Sequence, residues 1–428
     1  MYHAYSLLLS LVLLVWSPSL LLGAVGIRRH REGWRERLGF YPEALLSHIH
    51  ETRPVWIHAV SVGEVGAASI LANLWTARRP KLSLVVSTVT ATGREVARRS
   101  LPQATGVVYF PLDLPKMVHR ALAALKPRLV LLTETEIWPN FLRGCATSQI
   151  PVAIINGRIS PRSFRRYRLV RPFIRRVLHC IDLFCMQTRT DAERILALGA
   201  SPERVHVVGN LKFDAAPQTD ARSLAEQWRR DLKIETQQPV VVAGSTHAGE
   251  EEAVLEAFIR LRREFPDLLL ILAPRHPDRL GAVEAVIASN GLATVRRSAV
   301  ARGCGGAQEV VLLDTMGELS ALYAVGTVAY VGGSLVPKGG HNLLEPALHG
   351  RPVLFGPHME NFAEASALFV ERGAAVQVND AEELFRQLAR LLRDQAARDR
   401  MGKAALEALA AHRGACDRTV ALLERLFV

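Results

Sequence analysis

The feature that most restricts the fold of this chain is an alternation of short apolar runs with longer helical stretches. In the first half, runs rich in Val, Ile and Leu predict strands at 54–60, 82–87, 128–133, 151–156, 180–186 and 204–208. Such uninterrupted runs are typical of parallel strands that are buried on both faces. Helical stretches that begin near Gly63, Thr90 and Leu114 separate them, so the pattern predicts βαβ units and a doubly wound α/β sheet.

The same alternation restarts after a polar, proline-containing break. The second series predicts strands at 240–243, 268–273, 310–313, 327–331 and 352–355, helices at 250–264, 277–289, 317–324 and 342–349, and a helical tail over 381–426. With 428 residues and 49% hydrophobic composition, the chain is long enough for two such domains. We therefore predict two α/β domains with a cleft between them, at 28–215 and 239–428, joined by a linker at 216–238.

The N-terminus carries 24 consecutive uncharged residues, 4–27, dominated by Leu and Val. A helix of this length spans about 36 Å, enough to cross the ~30 Å hydrocarbon layer with some tilt. A cleavable signal peptide is the alternative, although no Lys or Arg precedes the run. Five arginines follow within residues 28–37, which predicts a membrane anchor over residues 1–27 and a cytoplasmic location for the rest of the chain.

The excess positive charge of the chain lies in its first half. Residues 1–215 contain 29 Lys and Arg against 14 Asp and Glu, a balance of +15, whereas residues 216–428 contain 24 against 27, a balance of −3. Part of the excess is a cluster formed by Arg162, Arg165, Arg166, Arg168, Arg171, Arg175 and Arg176. This cluster is either a solvated helix face or a contact for anionic membrane lipids. No basic strand carries interspersed aromatic residues, so we expect no nucleic acid partner.

Common cofactor and metal motifs are missing from the sequence. No G-x-G-x-x-G follows a strand, no G-x-x-x-x-G-K-[ST] occurs, and no Asp-x-Asp is present. The five cysteines form no C-x-x-C pair and are expected to be reduced thiols. We therefore expect neither a cofactor nor a metal ion.

Two loops after predicted strands of the first half carry carboxylates. Glu64 lies between two glycines at the start of a helix, where it either acts on a substrate or only complements the helix dipole. Glu134 and Glu136 directly follow a very apolar strand. Burying carboxylates there is costly unless they are paired or lie in a cleft, and simple helix capping is the alternative.

Two further loops belong to the second half. The segment Pro274–Pro277 places an Arg and a His at a strand end, which suits a phosphate, although an ordinary loop explains it equally well. Residues 332–346 are more specific, because a glycine-rich turn with Lys338 and His341 leads into a helix N-terminus that attracts phosphate. Glu345 follows about one turn later, where its carboxylate can accept hydrogen bonds from ribose hydroxyls.

Seven stretches, in this order, resemble the 3-deoxy-D-manno-octulosonic acid (Kdo) transferases of Gram-negative bacteria. They are SVGEV (61–65), TETEIWPN (133–140), NGRIS (156–160), GNLKFD (209–214), AGSTHAGEEE (243–252), APRHPDR (273–279) and VGGSLVPKGGHNLLEPALHGRPVLFGPHMENF (331–362). The resemblance implies the GT-B type of glycosyltransferase fold, which consists of two facing Rossmann-like domains. It also implies inverting transfer of Kdo from CMP-Kdo to the lipid A precursor (lipid IVA) at the cytoplasmic face of the inner membrane, in lipopolysaccharide biosynthesis.

The resemblance implies roles for individual residues as well. Glu64 would be the general base that takes the proton of the acceptor hydroxyl, and Glu134 and Lys212 would stabilise the transition state. The residues that would hold CMP are Pro274, Arg275, Met316, Gly317, Glu318, Asn342, Leu343, Leu344 and Glu345. A membrane-associated nucleotide-sugar epimerase of the same fold and a membrane-tethered nucleic-acid binder are the alternative functions.

Overall fold

The computed structural model describes residues 1–12, 33–49, 52–215, 221–300 and 308–427. The chain divides into two compact units. The first unit comprises Met1–Ala215 and His412–Val428, and the second comprises Ala216–Ala411. Each unit is an α/β domain built on one seven-stranded sheet, which confirms the two parallel-sheet domains predicted from the sequence.

The sheet of the first unit has the strand order β3-β2-β1-β4-β5-β6-β7, and every neighbouring pair is parallel. The strands are β1 Val55–His58, β2 Leu84–Thr88, β3 Gly106–Tyr109, β4 Leu129–Thr133, β5 Val152–Gly157, β6 Leu183–Met186 and β7 Val205–Val207. The helices of this unit between residues 33 and 215 are Trp34–Arg37, Glu43–Ile49, Val62–Arg78, Ala91–Ser100, Pro115–Leu125, Pro139–Thr147, Pro161–Leu169, Arg171–Leu178 and Arg189–Leu198.

The sheet of the second unit has the order β10-β11-β9-β8-β12-β13-β14 and is also parallel throughout. Its strands are β8 Val240–Thr246, β9 Leu269–Pro274, β10 Thr294–Arg296, β11 Val310–Leu312, β12 Val328–Val331, β13 Val353–Phe355 and β14 Ala375–Gln377. Its helices are Ala221–Asp231, Glu250–Arg262, Leu280–Ser289, Arg297–Val300, Leu319–Leu322, Leu344–Leu348, Ala363–Glu371, Ala381–Arg393 and Gln395–His412.

Apolar side chains cover both faces of each sheet. In β1, Trp56 packs into one core with Phe110 and Phe141, whereas Val55 and Ile57 belong to the core on the opposite face. This alternation follows from the pleat of a strand, since successive side chains point to opposite faces. Because both faces are buried, the central strands need continuous apolar sequence.

The C-terminal end of the chain is organised differently from the predicted domain 239–428. The helix Ala415–Leu423 belongs to the first unit. The carboxylate of Asp214 accepts hydrogen bonds from the backbone N–H groups of Gly414 at 2.6 Å and Cys416 at 2.5 Å, at the start of this helix. Residues 221–238, which lie within the predicted linker 216–238, belong to the second unit.

The N-terminal residues 2–12 form a helix that packs on the first unit. Tyr2 contacts the edge of Phe173 with ring centroids 5.3 Å apart, and the Tyr5 hydroxyl donates to Asp113 Oδ2 at 2.9 Å. The predicted anchor over residues 1–27 lies outside the described residues from residue 13 onward. In the part of the chain that the structure describes, no helix is both long and apolar enough to cross a membrane.

Candidate active site

Glu64 lies in the first turn of the helix Val62–Arg78, just beyond the carboxyl end of β1. The residue is only 8% exposed, and its carboxylate accepts hydrogen bonds from the Val60 N–H and the Ser61 hydroxyl, both at 2.8 Å. The Glu64 N–H donates to Ser61 Oγ at 3.4 Å, which resembles a capping box. The capping role considered from the sequence is present, so any chemical role of Glu64 is additional to it.

The environment of Glu64 raises the affinity of its carboxylate for a proton. Burial raises the pKa of Glu64, and the negative charge of Glu134 adds to this effect. The hydrogen bonds from Val60 and Ser61 oppose it because they stabilise the ionised form. A general base works best when its pKa lies close to the working pH, so this shift is in the useful direction.

Glu134 and Glu136 follow the carboxyl end of β4. Glu134 has a positive φ of 59°, a conformation that costs a non-glycine residue about 1–3 kcal/mol and that clusters at functional sites. Burial, together with the negative charges of Glu64 and Glu134, raises the pKa of Glu136 to about 7. Three mutually interacting carboxylates therefore gather at one edge of the first sheet.

Lys212 supplies a positive charge to this group from the short 3-10 turn Leu211–Asp214. Burial lowers the pKa of Lys212, whereas the charges of Glu134 and Glu64 oppose that shift and Arg158 reinforces it. The structure thus brings together the three residues predicted to be catalytic. It adds Glu136 and Arg158, which the sequence contained within its motifs but which were not predicted as site residues.

A buried amide network holds the turn that carries Lys212. Asn156, at the end of β5 with a φ of 53°, accepts the Leu211 N–H at 3.0 Å through its side chain. Its backbone carbonyl accepts Gln187 Nε2 at 2.8 Å, and Gln187 Oε1 accepts Asn210 Nδ2 at 3.1 Å. The sequence did contain a signal for this network, because Asn156 and Asn210 lie within the motifs NGRIS and GNLKFD.

The second unit contains a cavity of about 310 Å³ at the carboxyl end of β9. Its lining includes five of the nine residues predicted to hold CMP, namely Pro274, Arg275, Met316, Gly317 and Glu345. Asp314, Thr315 and Ser320 also line it. The cavity therefore joins three loops that are far apart in the sequence.

The remaining predicted CMP residues lie around this cavity without lining it. Asn342 Nδ2 donates to Glu345 Oε1 at 3.1 Å. The side chains of Leu343 and Leu344 are buried in the core. Glu318 accepts a hydrogen bond from the Thr315 hydroxyl and has a guanidinium nitrogen of Arg297 at 3.5 Å.

Glu345 and Asp314 are the carboxylates that line this cavity. Glu345 is the second residue of the short helix Leu344–Leu348, which is shorter than the predicted helix 342–349. Burial raises the pKa of Glu345, and the Asn342 hydrogen bond and the positive charge of Arg275 oppose that shift. Within the described ranges, no group of three or more His, Cys, Asp or Glu side chains is placed to share a metal ion.

A surface of the first unit combines apolar and basic residues. We call it the arginine surface, and it consists of the helix 2–12 and the helices Pro161–Leu169 and Arg171–Leu178. Its exposed apolar side chains are Leu7, Leu8, Leu11, Val12, Leu169 and Val170. Helix Pro161–Leu169 has no buried residue, and Arg176 Nη1 lies 3.8 Å from the Met1 sulfur, so the basic and apolar segments adjoin.

Comparison with known proteins identifies the family of this chain. The family model described as 3-Deoxy-D-manno-octulosonic-acid transferase (kdotransferase) matches residues 32–215. The chain is 35% identical over 422 residues to a 3-deoxy-D-manno-octulosonic acid transferase of Haemophilus influenzae, covering 96% of both chains. It is 37% identical to a protein of the same name from Bordetella pertussis, covering 87% of both chains.

A solved structure shares the two-domain fold at low sequence identity. The UDP-GlcNAc 2-epimerase from Neisseria meningitidis bound to UDP-GlcNAc superposes with a TM-score of 0.57, at 15% identity, covering 87% of this chain and 99% of that one. This likeness concerns the fold alone. The similarity to the transferases extends over nearly the whole sequence, and the chain belongs to the 3-deoxy-D-manno-octulosonic acid transferase family.

Proposed function

We propose that this protein transfers Kdo from CMP-Kdo to a hydroxyl group of the lipid A precursor, with inversion at the transferred sugar. The observation that carries the proposal is the grouping of Glu64, Glu134 and Lys212 in the first unit, where the charges of both carboxylates act on the lysine. Family membership supports the same reaction, because the relatives from H. influenzae and B. pertussis carry the transferase name over matching lengths.

The first unit supplies the groups for the chemical step. The acceptor hydroxyl oxygen forms a bond to the anomeric carbon of Kdo while the bond from that carbon to the phosphate oxygen breaks. Glu64 takes the hydroxyl proton, and CMP leaves with the bonding electrons. Positive charge builds on the sugar ring, which Glu134 stabilises, and Lys212 stabilises an anionic group of the donor.

The second unit supplies the nucleotide site. Arg275 lines the 310 Å³ cavity and provides a cation for the phosphate, while the carboxylate of Glu345 lines the same space and can accept from the ribose hydroxyls. Glu345 is held by Asn342 at 3.1 Å. The proposed donor has a single phosphate, and the chain contains no Asp-x-Asp motif. Both points support a reaction that needs no bound metal.

We also propose that the protein works at the cytoplasmic face of the inner membrane, to which residues 1–27 attach it. Because residues 2–12 pack on the first unit, we place this helix along the bilayer interface and not across the hydrocarbon layer. The arginine surface supports this location. Its apolar side chains, including Leu7 at 64% and Leu169 at 85% exposure, would meet the bilayer interface. The adjoining arginines would attract anionic lipids, each contributing ~1 kcal/mol near the surface.

Incubation of the full chain with CMP-Kdo and lipid IVA tests the proposal. We expect release of CMP together with a glycolipid whose mass increases by whole Kdo units, and the increments count the sugars added. Omission of lipid IVA is the matched control and should abolish the product. Release of CMP without a heavier glycolipid would contradict the proposal.

The epimerase alternative rests only on the shared fold. A parallel incubation with UDP-GlcNAc separates it, because an epimerase would convert that nucleotide sugar in the absence of any lipid. We expect no conversion of UDP-GlcNAc by this protein.

A further inference from the structure

The N-terminal helix 2–12 has two faces of different chemistry. Its half-buried residues, which pack on the first unit, are Tyr2, Tyr5, Ser6 and Leu9. This spacing places them on one side of a helix. The large apolar residues exposed on the helix are Leu7, Leu8, Leu11 and Val12. The hydroxyl groups therefore lie on the side that contacts the protein, and the leucines are available to a membrane surface.

Two of these hydroxyl groups contact a buried polar pair, Asp113 and Asn140. The Tyr5 hydroxyl donates to Asp113 Oδ2 at 2.9 Å, and Asn140 Nδ2 donates to Ser6 Oγ at 3.0 Å. Asn140 Nδ2 also donates to the backbone carbonyl of Asp113 at 2.6 Å. Asp113 is 3% exposed and Asn140 is 5% exposed, so water competes little for these hydrogen bonds. Consecutive residues of the N-terminal helix thus contact one buried pair.

Asp113 caps the helix Pro139–Thr147. Its carboxylate accepts the backbone N–H of Asn140 at 3.1 Å and that of Phe141 at 2.7 Å. The N-cap residue of this helix is Trp138, whose indole has no acceptor atom, so a carboxylate from a distant loop takes the capping role. Its negative charge also complements the positive end of the helix dipole. Asp113 therefore fixes where this helix begins.

The Tyr5 hydroxyl supports the cap itself. Burial raises the pKa of Asp113, and the hydrogen bonds from Asn140, Tyr5 and Phe141 oppose that shift because they stabilise the ionised form. The ionised carboxylate is the better cap, since it accepts hydrogen bonds at both oxygens. Removal of the Tyr5 hydroxyl therefore weakens the hold of Asp113 on the helix start.

The capped helix directly follows the loop that carries Glu134 and Glu136. Only Ile137 and Trp138 separate Glu136 from Pro139, the first residue of the helix. The proline ring fixes the φ of Pro139 and restricts Trp138 to an extended backbone, which is observed at φ −105° and ψ 98°. A connection this short and restricted has little slack, so a displacement of the helix start also displaces Glu136.

We propose that Tyr5 and Ser6 are positioning residues for sugar transfer, because through Asp113 and Asn140 they fix the end of the carboxylate loop. The inference rests on the proposed function and gives the N-terminal helix a second role beside membrane attachment. Its exposed leucines serve attachment, whereas its inward hydroxyl groups serve the chemical step. Misplacement of a reacting group by about 1 Å can lower a rate about 100-fold, so the loss of these contacts should act on turnover.

Turnover of the full chain in detergent micelles tests the proposal, because micelles present lipid IVA without a bilayer to which the protein must attach. Tyr5→Phe removes the hydroxyl that contacts Asp113 and keeps the ring beside Phe173. We expect kcat to fall about tenfold or more, since a hydrogen bond to a charged group is lost. The KM for CMP-Kdo should stay within about twofold of wild type, because the nucleotide cavity lies in the second unit.

Tyr2→Phe is the matched control. Tyr2 belongs to the same helix and also packs on Phe173, but its hydroxyl contacts the Cys180 sulfur at 4.0 Å instead of Asp113. This variant should keep the wild-type kcat in micelles. Wild-type kcat in folded Tyr5→Phe, or an equal loss in Tyr2→Phe, overturns the inference and leaves the proposed function in place. Absence of Kdo transfer by the wild-type protein removes both.

Two further variants complete the test. Ser6→Ala removes the contact with Asn140 and should also lower kcat in micelles, which decides the matter if Tyr5→Phe does not fold. Replacing Leu7 and Leu8 together with Ser should lower turnover on vesicles and keep the wild-type kcat in micelles, because these side chains are exposed. A loss of kcat in micelles as large as that of Tyr5→Phe would contradict the separate roles of the two faces.

Discussion

The two units have the same architecture but different chemistry at corresponding edges of their sheets. Each is a parallel seven-stranded sheet with its candidate site residues beyond the strand ends. In the first unit these residues are three carboxylates, Glu64, Glu134 and Glu136, together with Lys212. In the second unit Arg275 lines a cavity together with the carboxylates of Asp314 and Glu345.

We infer from this difference that the shared sheet determines where a ligand site lies. The residues that follow its strands determine which kind of ligand the site suits. Parallel strands place their carboxyl ends along one edge, where open α/β sheets bind ligands. A group of carboxylates there suits proton transfer and a cationic transition state, whereas an arginine that lines a cavity suits a nucleotide phosphate. Strained backbone marks both edges, since Glu134 and Asn156 in the first unit and Ser245 in the second have φ between 53° and 59°.

The largest expected effect concerns the base of the first unit. Glu64→Gln keeps the shape of the side chain and much of its capping geometry but cannot accept a proton. We expect turnover to fall about 10²–10⁴-fold, measured as CMP release with saturating CMP-Kdo and lipid IVA. Glu95→Gln, an exposed change in the same unit, is the control and should leave turnover unchanged. Near-normal turnover in folded Glu64→Gln would reduce this residue to a helix cap.

A second prediction compares the basic surfaces of the units. Replacing Arg165, Arg166 and Arg168 with Ser should weaken binding to anionic vesicles at low salt, by up to about 100-fold if each charge contributes ~1 kcal/mol. The difference should shrink in 1 M salt, where the Debye length is about 3 Å. Vesicle sedimentation measures both conditions.

The control for this prediction is a matched triple in the second unit. Arg386, Arg390 and Arg393 are exposed on the helix Ala381–Arg393 and should be replaceable with little effect on vesicle binding. An equal loss of vesicle binding in the two triple variants would show that net charge alone drives membrane association. If the first-unit variant loses no vesicle binding, its three arginines are only a solvated helix face.

The smallest effect concerns stability and pH. The pKa of Glu136, about 7 in the folded protein, lies above its ordinary value of 4.5, so folding favours the protonated form. This contribution is fully present below about pH 4.5 and is lost as the pH rises through 7, with an upper limit of about 3 kcal/mol. Glu136→Gln should therefore raise the melting temperature relative to wild type more at pH 8 than at pH 5, and an equal shift at both pH values would contradict the assignment.

The sequence predicted the central strands of both sheets well and the edge strands poorly. Strands such as β4 and β8 are buried on both faces, so their apolar runs stand out. The strands β3, β10 and β14 were not predicted, and all three lie at sheet edges, where they are short and partly exposed. An edge strand needs fewer apolar residues, and its sequence then resembles that of a loop.

The pattern of residue types along the chain did not predict contacts between distant segments. The return of the helix Ala415–Leu423 to the first unit depends on the cap from Asp214, 200 residues earlier. The Nε2 atoms of His247 and His341, which are 94 residues apart in the sequence, likewise lie 2.9 Å from each other. By contrast, Glu64, Glu134 and Lys212 were predicted together because the family resemblance gave them roles, and the structure places them in one electrostatic group.

We propose that the first unit carries out the chemical step and that the second unit binds the nucleotide. Calorimetric CMP affinity of Glu64→Gln and Glu345→Gln tests it most directly. We expect Glu64→Gln to bind CMP within about threefold of wild type, and Glu345→Gln to bind at least about tenfold more weakly, because a hydrogen bond to a charged group contributes about 1.5–3 kcal/mol. Wild-type CMP affinity in folded Glu345→Gln, or an equal loss in both variants, would contradict this division of roles between the units.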